Sequence, residues 1–255
     1  LKRGLLSPAR WKRIGEARRT LARGTWDYVI DAQGLIKSAL VARAANAPAF
    51  GLDRKSARER TAARFYDVRI PVARDRHAVE RNRELVAKVF GYRVDGPPQY
   101  GLAAPAAAPA WAPTLPYAVL LHAASHGAKR WPDERWVELA RILAVNGCVT
   151  VFPGGTDEER RRAAQLASGI PEALAAPAMG LAEAAALIAR AQLVAGVDTG
   201  LTHLAVALGR PTVGIYTATR PEHTGLHGPG AVNLGGPGAP PTVAAVAEAL
   251  ALAPA

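Results

Sequence analysis

The chain has 255 residues, 49% of them hydrophobic, and a formal net charge of +11, which leaves room for two domains of roughly 100 to 150 residues with separate cores. No run reaches the roughly 18 apolar residues of a membrane-spanning helix, and no secretory signal pattern is visible, so a soluble protein is expected. The excess charge is confined to one part: residues 1–100 hold 22 Lys and Arg against 10 Asp and Glu, +12, while residues 101–255 hold 10 against 11, −1. That asymmetry suggests an acidic partner for the first part, whether nucleic acid, an anionic membrane surface or a phosphorylated substrate. Arginine-rich composition is also common in proteins of GC-rich genomes, which is the alternative reading. The first residue is Leu1 and the only methionine is Met179, so further N-terminal residues are expected. The single cysteine, Cys148, cannot form an intrachain disulfide and reads as a small buried hydrophobe in a reducing compartment.

In chain order, Pro8 to Arg23 reads as a basic amphipathic helix, with Trp11, Ile14, Ala17 and Leu21 near helical spacing. Trp26 to Asp31 follows as a strand, Gln33-Gly34 as a turn and Leu35 to Asn46 as a helix. A short strand near Phe50, a basic helix from Ser56 to Tyr66 and a long helix from Asp75 to Gly91 complete the first part, residues 1–100. In that long helix Glu80 and Glu84 are placed to pair with basic neighbours. Residues 101–116 are dominated by Ala and Pro and read as a linker.

An α/β rhythm then fills residues 117–240. It comprises strand Tyr117–His122, helix Pro132–Asn146, strand Cys148–Phe152, helix Thr156–Ser168, helix Leu181–Arg190, strand Leu193–Val197, helix Thr199–Leu208 and strand Thr212–Tyr216. A last helix, Thr242–Leu252, lies in residues 241–255. Such alternation implies a parallel sheet covered on both faces, and in such sheets ligands bind beyond the carboxyl ends of the strands.

Three loops meet that rule. The turn Asp198-Thr199-Gly200-Leu201 joins an apolar strand to a helix, so the amides of Thr199, Gly200 and Leu201 are candidate phosphate donors at a helix N-terminus. The plainer reading is a cap at Asp198 or Thr199 and a tight turn at Gly200. The loop from His122 to Pro132 offers the Ser125 hydroxyl and the Lys129 ammonium to a phosphate, against a solvated loop with incidental charge. In Phe152 to Glu159, Thr156 and Glu159 match a capping box, while the Glu159 carboxylate also suits a sugar diol.

Other chemistries are set aside. There is no closely spaced Asp-x-Asp or His/Cys ligand cluster, so a metal site is not expected. The loop Asp31-Ala32-Gln33-Gly34 lacks the repeated glycines of a dinucleotide fingerprint, and no Walker-type loop is present. His223 and His227 are four apart, but their Gly/Pro setting favours a loop over a two-histidine metal helix. No nucleic-acid-binding motif accompanies the basic first part, although a basic nucleic-acid-binding module stays open as an alternative, as does a non-catalytic nucleotide-binding protein.

Taken together, Asp31-Ala32-Gln33-Gly34-Leu35-Ile36-Lys37-Ser38, His77-Ala78-Val79-Glu80-Arg81, Lys129-Arg130-Trp131-Pro132 and Val197-Asp198-Thr199-Gly200-Leu201-Thr202-His203-Leu204 resemble the inverting family 9 glycosyltransferases, the heptosyltransferases. The resemblance runs over essentially the whole chain, and its first two segments favour the transferase that adds the first heptose. It implies a GT-B-like α/β fold of two Rossmann-like domains with parallel sheets facing across a cleft, the first domain incomplete in this chain. It further implies metal-independent transfer of L-glycero-D-manno-heptose from ADP-heptose to the Kdo region of Kdo2-lipid A, without a cofactor. The expected place is the cytoplasmic face of the bacterial inner membrane, held peripherally at its anionic surface and without a nucleic-acid partner. Another family 9 transferase with a different acceptor is the nearest alternative.

The resemblance also assigns residues. Lys129 and Ser125, with the amides of Thr199, Gly200 and Leu201, hold the donor diphosphate. Asp198 orients the heptose hydroxyls, Glu159 contacts the ribose, Met179 borders the adenine and His203 belongs to the donor site. For Met179 and His203 plain core and structural roles are the alternatives. Arg58 matches a basic residue facing the acceptor. Ala124 stands where relatives often carry a hydroxyl. The Gly-Asp loop that supplies the family's catalytic base is expected before Leu1, so turnover is expected of the full gene product and not of these residues alone.

Overall fold

The computed structural model describes residues 8–124 and 126–251, with the side chains of residues 8–11, 13 and 14 left aside. They fall into two compact units that divide between Gly96 and Pro97.

The first unit opens with helix α1, Pro8–Arg23, and is built on three parallel strands in spatial order β1 (Val29–Asp31), β2 (Ala49–Leu52) and β3 (Val68–Ile70). Helix α2, Ile36–Ala42, and a 3-10 turn, Arg43–Ala45, connect the first two strands and stop at Asn46, whose φ of 50° lies in the left-handed region where no right-handed helix continues. The strand expected over Trp26–Asp31 is shorter, and Trp26 and Tyr28 are exposed.

The helix expected over Ser56–Tyr66 does not form. Asp53 Oδ1 takes the amides of Lys55 and Ser56 at 3.1 and 2.7 Å and makes a turn there, and only Arg60–Phe65 coils, as a 3-10 helix. These local side-chain bonds outcompete helical ones. Helix α3, Ala78–Phe90, starts after His77, whose Nδ1 accepts from Val79 N, rather than at Asp75. On it Glu80 pairs with Arg83 and Glu84 with Lys88 and Arg76, as its spacing suggested.

The second unit is one six-stranded sheet, every neighbouring pair parallel. Its strands are β4 (Tyr117–Leu121), β5 (Val149–Phe152), β6 (Ala173–Ala175), β7 (Leu193–Val197), β8 (Thr212–Tyr216) and β9 (Ala231–Gly235), and their spatial order is β6-β5-β4-β7-β8-β9. This is the doubly wound order, whose reversal falls between β4 and β7.

Alternation along β4 sends Ala118 and Leu120 to one face and Tyr117, Val119 and Leu121 to the other. The first face packs with Trp136, Leu139, Ala140 and Leu143 of α4 (Asp133–Val145), with Ala163 and Leu166 of α5 (Asp157–Ala167), and with α9 (Val243–Ala249). The second face packs with Leu187 and Ile188 of α6 (Leu181–Arg190) and Ala205 of α7 (Gly200–Ala207). A short helix α8, Pro221–Thr224, carries His223, while His227 lies beyond its end.

The stretch read as a linker, 101–116, is fastened to this unit. Tyr100 donates to the His227 carbonyl at 2.5 Å, Arg190 grips the carbonyls of Pro105 and Ala106 at 2.9 and 2.7 Å, and Trp111 packs on the Tyr117 face.

Candidate functional site

The carboxyl ends of β4 and β7 lie side by side at the reversal of strand order, which is where a doubly wound sheet leaves a crevice. A cavity of about 980 Å³ opens there, lined among others by Lys129, Glu159, Met179, Asp198, Gly200 and His203. Thr199, Leu201 and Ala124 also line it. Of the donor-site residues read from the sequence, only Ser125 lies outside the described residues.

Each wall has a local cause. After β7 the chain turns tightly, and Thr202 reaches back to donate from Oγ1 to the Val197 carbonyl at 2.7 Å. That approach requires Gly196, because a Cβ there would stand 2.4 Å from Thr202 Oγ1. Thr199 is the residue before α7 but makes no side-chain cap, its hydroxyl lying 3.3 Å from Thr202 Oγ1 instead. Among the described residues the first amides of α7 are thus left without a side-chain acceptor at the positive end of the helix.

After β5, Thr156 and Glu159 form the capping box the sequence suggested, Glu159 Oε2 accepting from Gly155 N and Thr156 N, both at 2.9 Å. Both bonds use one carboxylate oxygen, so Oε1 remains able to accept from a ligand. After β4, Lys129 ends a 3-10 turn, Gly127–Lys129, and Trp131 anchors the segment by donating to the Pro241 carbonyl at 3.0 Å. Arg162 braces the same loop through the carbonyls of His122 and Trp131 at 3.0 and 3.3 Å.

At the centre, Lys129 Nζ lies 2.7 Å from Asp198 Oδ2. The same oxygen accepts from Thr219 Oγ1 at 2.9 Å, and His203 Nε2 stands 3.7 Å from Oδ1. The facing His203, with Lys129 and Thr219, holds the Asp198 carboxyl well below the usual carboxylate range despite its burial, so it is ionised at neutral pH. Thr219 was not anticipated from the sequence. Its signal is positional, a hydroxyl just beyond the end of β8, the strand beside β7.

In the first unit, Arg58 is exposed on a bend and its backbone is held from several sides. The Glu59 amide donates to the Gly34 carbonyl at 2.9 Å, and Glu59 Oε2 accepts from Ile36 N at 2.7 Å. Gly34 has a φ of +63°, and a Cβ there would come 3.1 Å from Arg58 N, so only glycine suits the turn. Asp31 fixes that turn by accepting from Gln33 N, from Ser38 Oγ at 2.7 Å and from Tyr66 Oη at 2.6 Å. Burial and the Asp31 carboxylate push the Tyr66 phenol well above its ordinary range, so it remains a donor. Arg81 adds a bond from Nη2 to the Ser56 carbonyl at 2.7 Å.

Among the described residues no cluster of three or more His, Cys, Asp or Glu could hold a metal ion, and no helix is long and apolar enough to cross a membrane.

A parallel α/β architecture with a crevice at its strand-order reversal defines the class, and the fold is that of the GT-B glycosyltransferases. The chain belongs to glycosyltransferase family 9, the heptosyltransferases, whose sequence profile matches residues 14–246.

It is similar to lipopolysaccharide heptosyltransferase 1 of Pseudomonas aeruginosa, 42% identical over 227 residues covering 88% of this chain and 63% of that protein. The Escherichia coli protein of the same name is 41% identical over 213 residues, 83% of this chain and 67% of the relative. The chain thus spans about two thirds of the length of these relatives. The structure of E. coli heptosyltransferase WaaC with ADP superposes with a TM-score of 0.83 at 35% identity, over 97% of this chain and 79% of that one. WaaC with ADP-2-deoxy-2-fluoro heptose gives 0.82 at the same identity.

Proposed function

We propose that the second unit's cavity binds ADP-L-glycero-D-manno-heptose and that the protein serves transfer of the heptose to the Kdo region of Kdo2-lipid A, with inversion and without a metal or cofactor. The observation that carries this reading is the meeting of Lys129, Asp198 and the uncapped start of α7 in one cavity whose wall holds Glu159 and Met179.

In the reaction, the acceptor oxygen bonds to the anomeric carbon as the bond to the ADP oxygen breaks, and the electron pair leaves with ADP. Lys129 and the amides of Thr199, Gly200 and Leu201 face the charge that grows on that leaving group, which is where fixed donors lower a barrier most. Asp198 accepts from heptose hydroxyls, Glu159 Oε1 from the ribose diol, Met179 lies against the adenine, and His203 closes the sugar end. The acceptor hydroxyl's proton passes to a general base not assigned among these residues. Arg58 and its basic neighbours suit the phosphate and carboxylate groups of the acceptor. The +12 of residues 1–100 suits a peripheral place on the anionic cytoplasmic leaflet of the inner membrane.

The test is calorimetric titration with ADP-heptose, GDP-sugars and UDP-sugars. Selective binding of the ADP-sugar is expected, together with a loss of about tenfold or more in Lys129→Ala, the scale of one charge-assisted hydrogen bond. Unchanged affinity in that variant would remove Lys129 from the diphosphate.

A further inference from the structure

Resting on the donor-site reading above, the two groups expected to hold different parts of the donor are bonded to each other in this structure. Lys129 Nζ and Asp198 Oδ2 are 2.7 Å apart, with side chains only 26% and 13% exposed. The Lys129 ammonium has three N–H donors, one of them on Asp198, and a diphosphate that draws it away leaves a largely buried carboxylate stripped of its cation, which is costly. The exchange therefore needs other donors that stay on Asp198.

The loop after β8 supplies one. Thr219 Oγ1 donates to the same Oδ2 at 2.9 Å, while Thr217 Oγ1 donates at 2.7 Å to the carbonyl of Ala128, the residue before Lys129. The loop is itself held where Gly238 N donates to the Thr217 carbonyl at 3.2 Å. Thus one loop grips both partners of the pair, the carboxylate by its side chain and the lysine by its backbone. Lys129, on a long flexible stem, is the member able to swing, while Asp198 keeps Thr219 and the neighbouring His203.

We propose that Thr219 is a positioning residue that holds the Asp198 carboxylate while Lys129 leaves it for the diphosphate of the incoming nucleotide. The residue touches neither the reacting atoms nor the phosphates, and acts through Asp198.

A double-mutant cycle read by ADP titration tests this. Thr219→Val weakens ADP binding about tenfold, as does Thr219→Ala, and Thr219→Ser restores it to within about twofold, one hydrogen bond to a charged acceptor being at stake. In an Asp198→Asn background the lysine is already released. There ADP binds more tightly than to the wild type, and Thr219→Val has no further effect. An equal loss from Thr219→Val in both backgrounds would show a merely structural loop contact and overturn the proposal, as would ADP binding no tighter to Asp198→Asn than to the wild type. A wild-type chain that binds neither ADP nor ADP-heptose would overturn the donor-site reading itself, and this inference with it.

Discussion

At the end of β4, His122 is fully buried beside Phe152. Burial, reinforced by the adjacent Arg162 guanidinium, pushes its pKa down to about 4 from an ordinary 6.5. Between those values the unfolded chain takes up a proton that the folded one refuses. Stability is therefore full above about pH 6.5, falls as pH drops through this window, and the loss is complete below about 4. The drop amounts to roughly 3 kcal/mol, since every tenfold difference in proton affinity between the folded and unfolded chain is worth about 1.4 kcal/mol. Urea unfolding at pH 7, 5.5 and 4.5 measures it, and His122→Phe, which has no proton to gain, is expected to flatten that dependence. The Asp198 carboxylate adds a separate acid loss with the opposite chemistry. Its pKa is depressed on folding, so its contribution is present above about 3.8 and disappears only as pH falls further toward its folded value.

Among the elements, α5 carries a side chain, Glu159, with a structural role and a proposed binding one. Its Thr156–Glu159 box satisfies amides at the helix start through Oε2 alone. Thr156→Ala is expected to cost about 1 kcal/mol, seen as a lower melting temperature. It should also weaken ADP-sugar binding, because it loosens the carboxylate proposed for the ribose; a lower melting temperature with unchanged affinity would separate the two roles.

This box was legible in the sequence because both partners lie within one turn. The strands β4, β5, β7 and β8 were legible for a related reason, being apolar runs bounded by helical periodicity. Three strands were not. β3 is three residues at the rim of its sheet, β6 is Ala-Leu-Ala, partly exposed at the other sheet's edge, and β9 carries Asn233 among glycines and is half exposed. Edge strands bury too little to mark the sequence with an apolar run. The misread helix at Ser56–Tyr66 had helical composition but side chains that bond across the fold, Tyr66 to Asp31 and Ser56 Oγ accepting from Val72 N. The site loops were legible from the rule for strand ends. Thr219 was not, since its meaning depends on β8 lying next to β7, a fact of topology and not of spacing.

For the whole molecule, charge is divided as the structure is. The +12 belongs to residues 1–100, nearly the first compact unit, and the second part is close to neutral. Attraction to an anionic leaflet adds about 1 kcal/mol per basic residue near the surface and is screened within about 10 Å at 0.1 M salt. Flotation with vesicles is therefore expected to show binding to phosphatidylglycerol-containing bilayers at low salt, release at about 0.5 M salt, and no binding to phosphatidylcholine alone. Binding that ignored both salt and lipid charge would reject the electrostatic account.

The strand order of the second unit also has a consequence in time. During synthesis β4 emerges well before β7, and the two become neighbours only after α4, β5, α5, β6 and α6 have been made. Pairing Leu121 with Gly196 closes a long loop, a slow step whose entropy must be lost before the contact stabilises anything. The junction that brings Lys129 to Asp198 thus has to wait for the synthesis of β7, and a nascent chain stopped short of Val197 carries the lysine loop with no carboxylate to meet it.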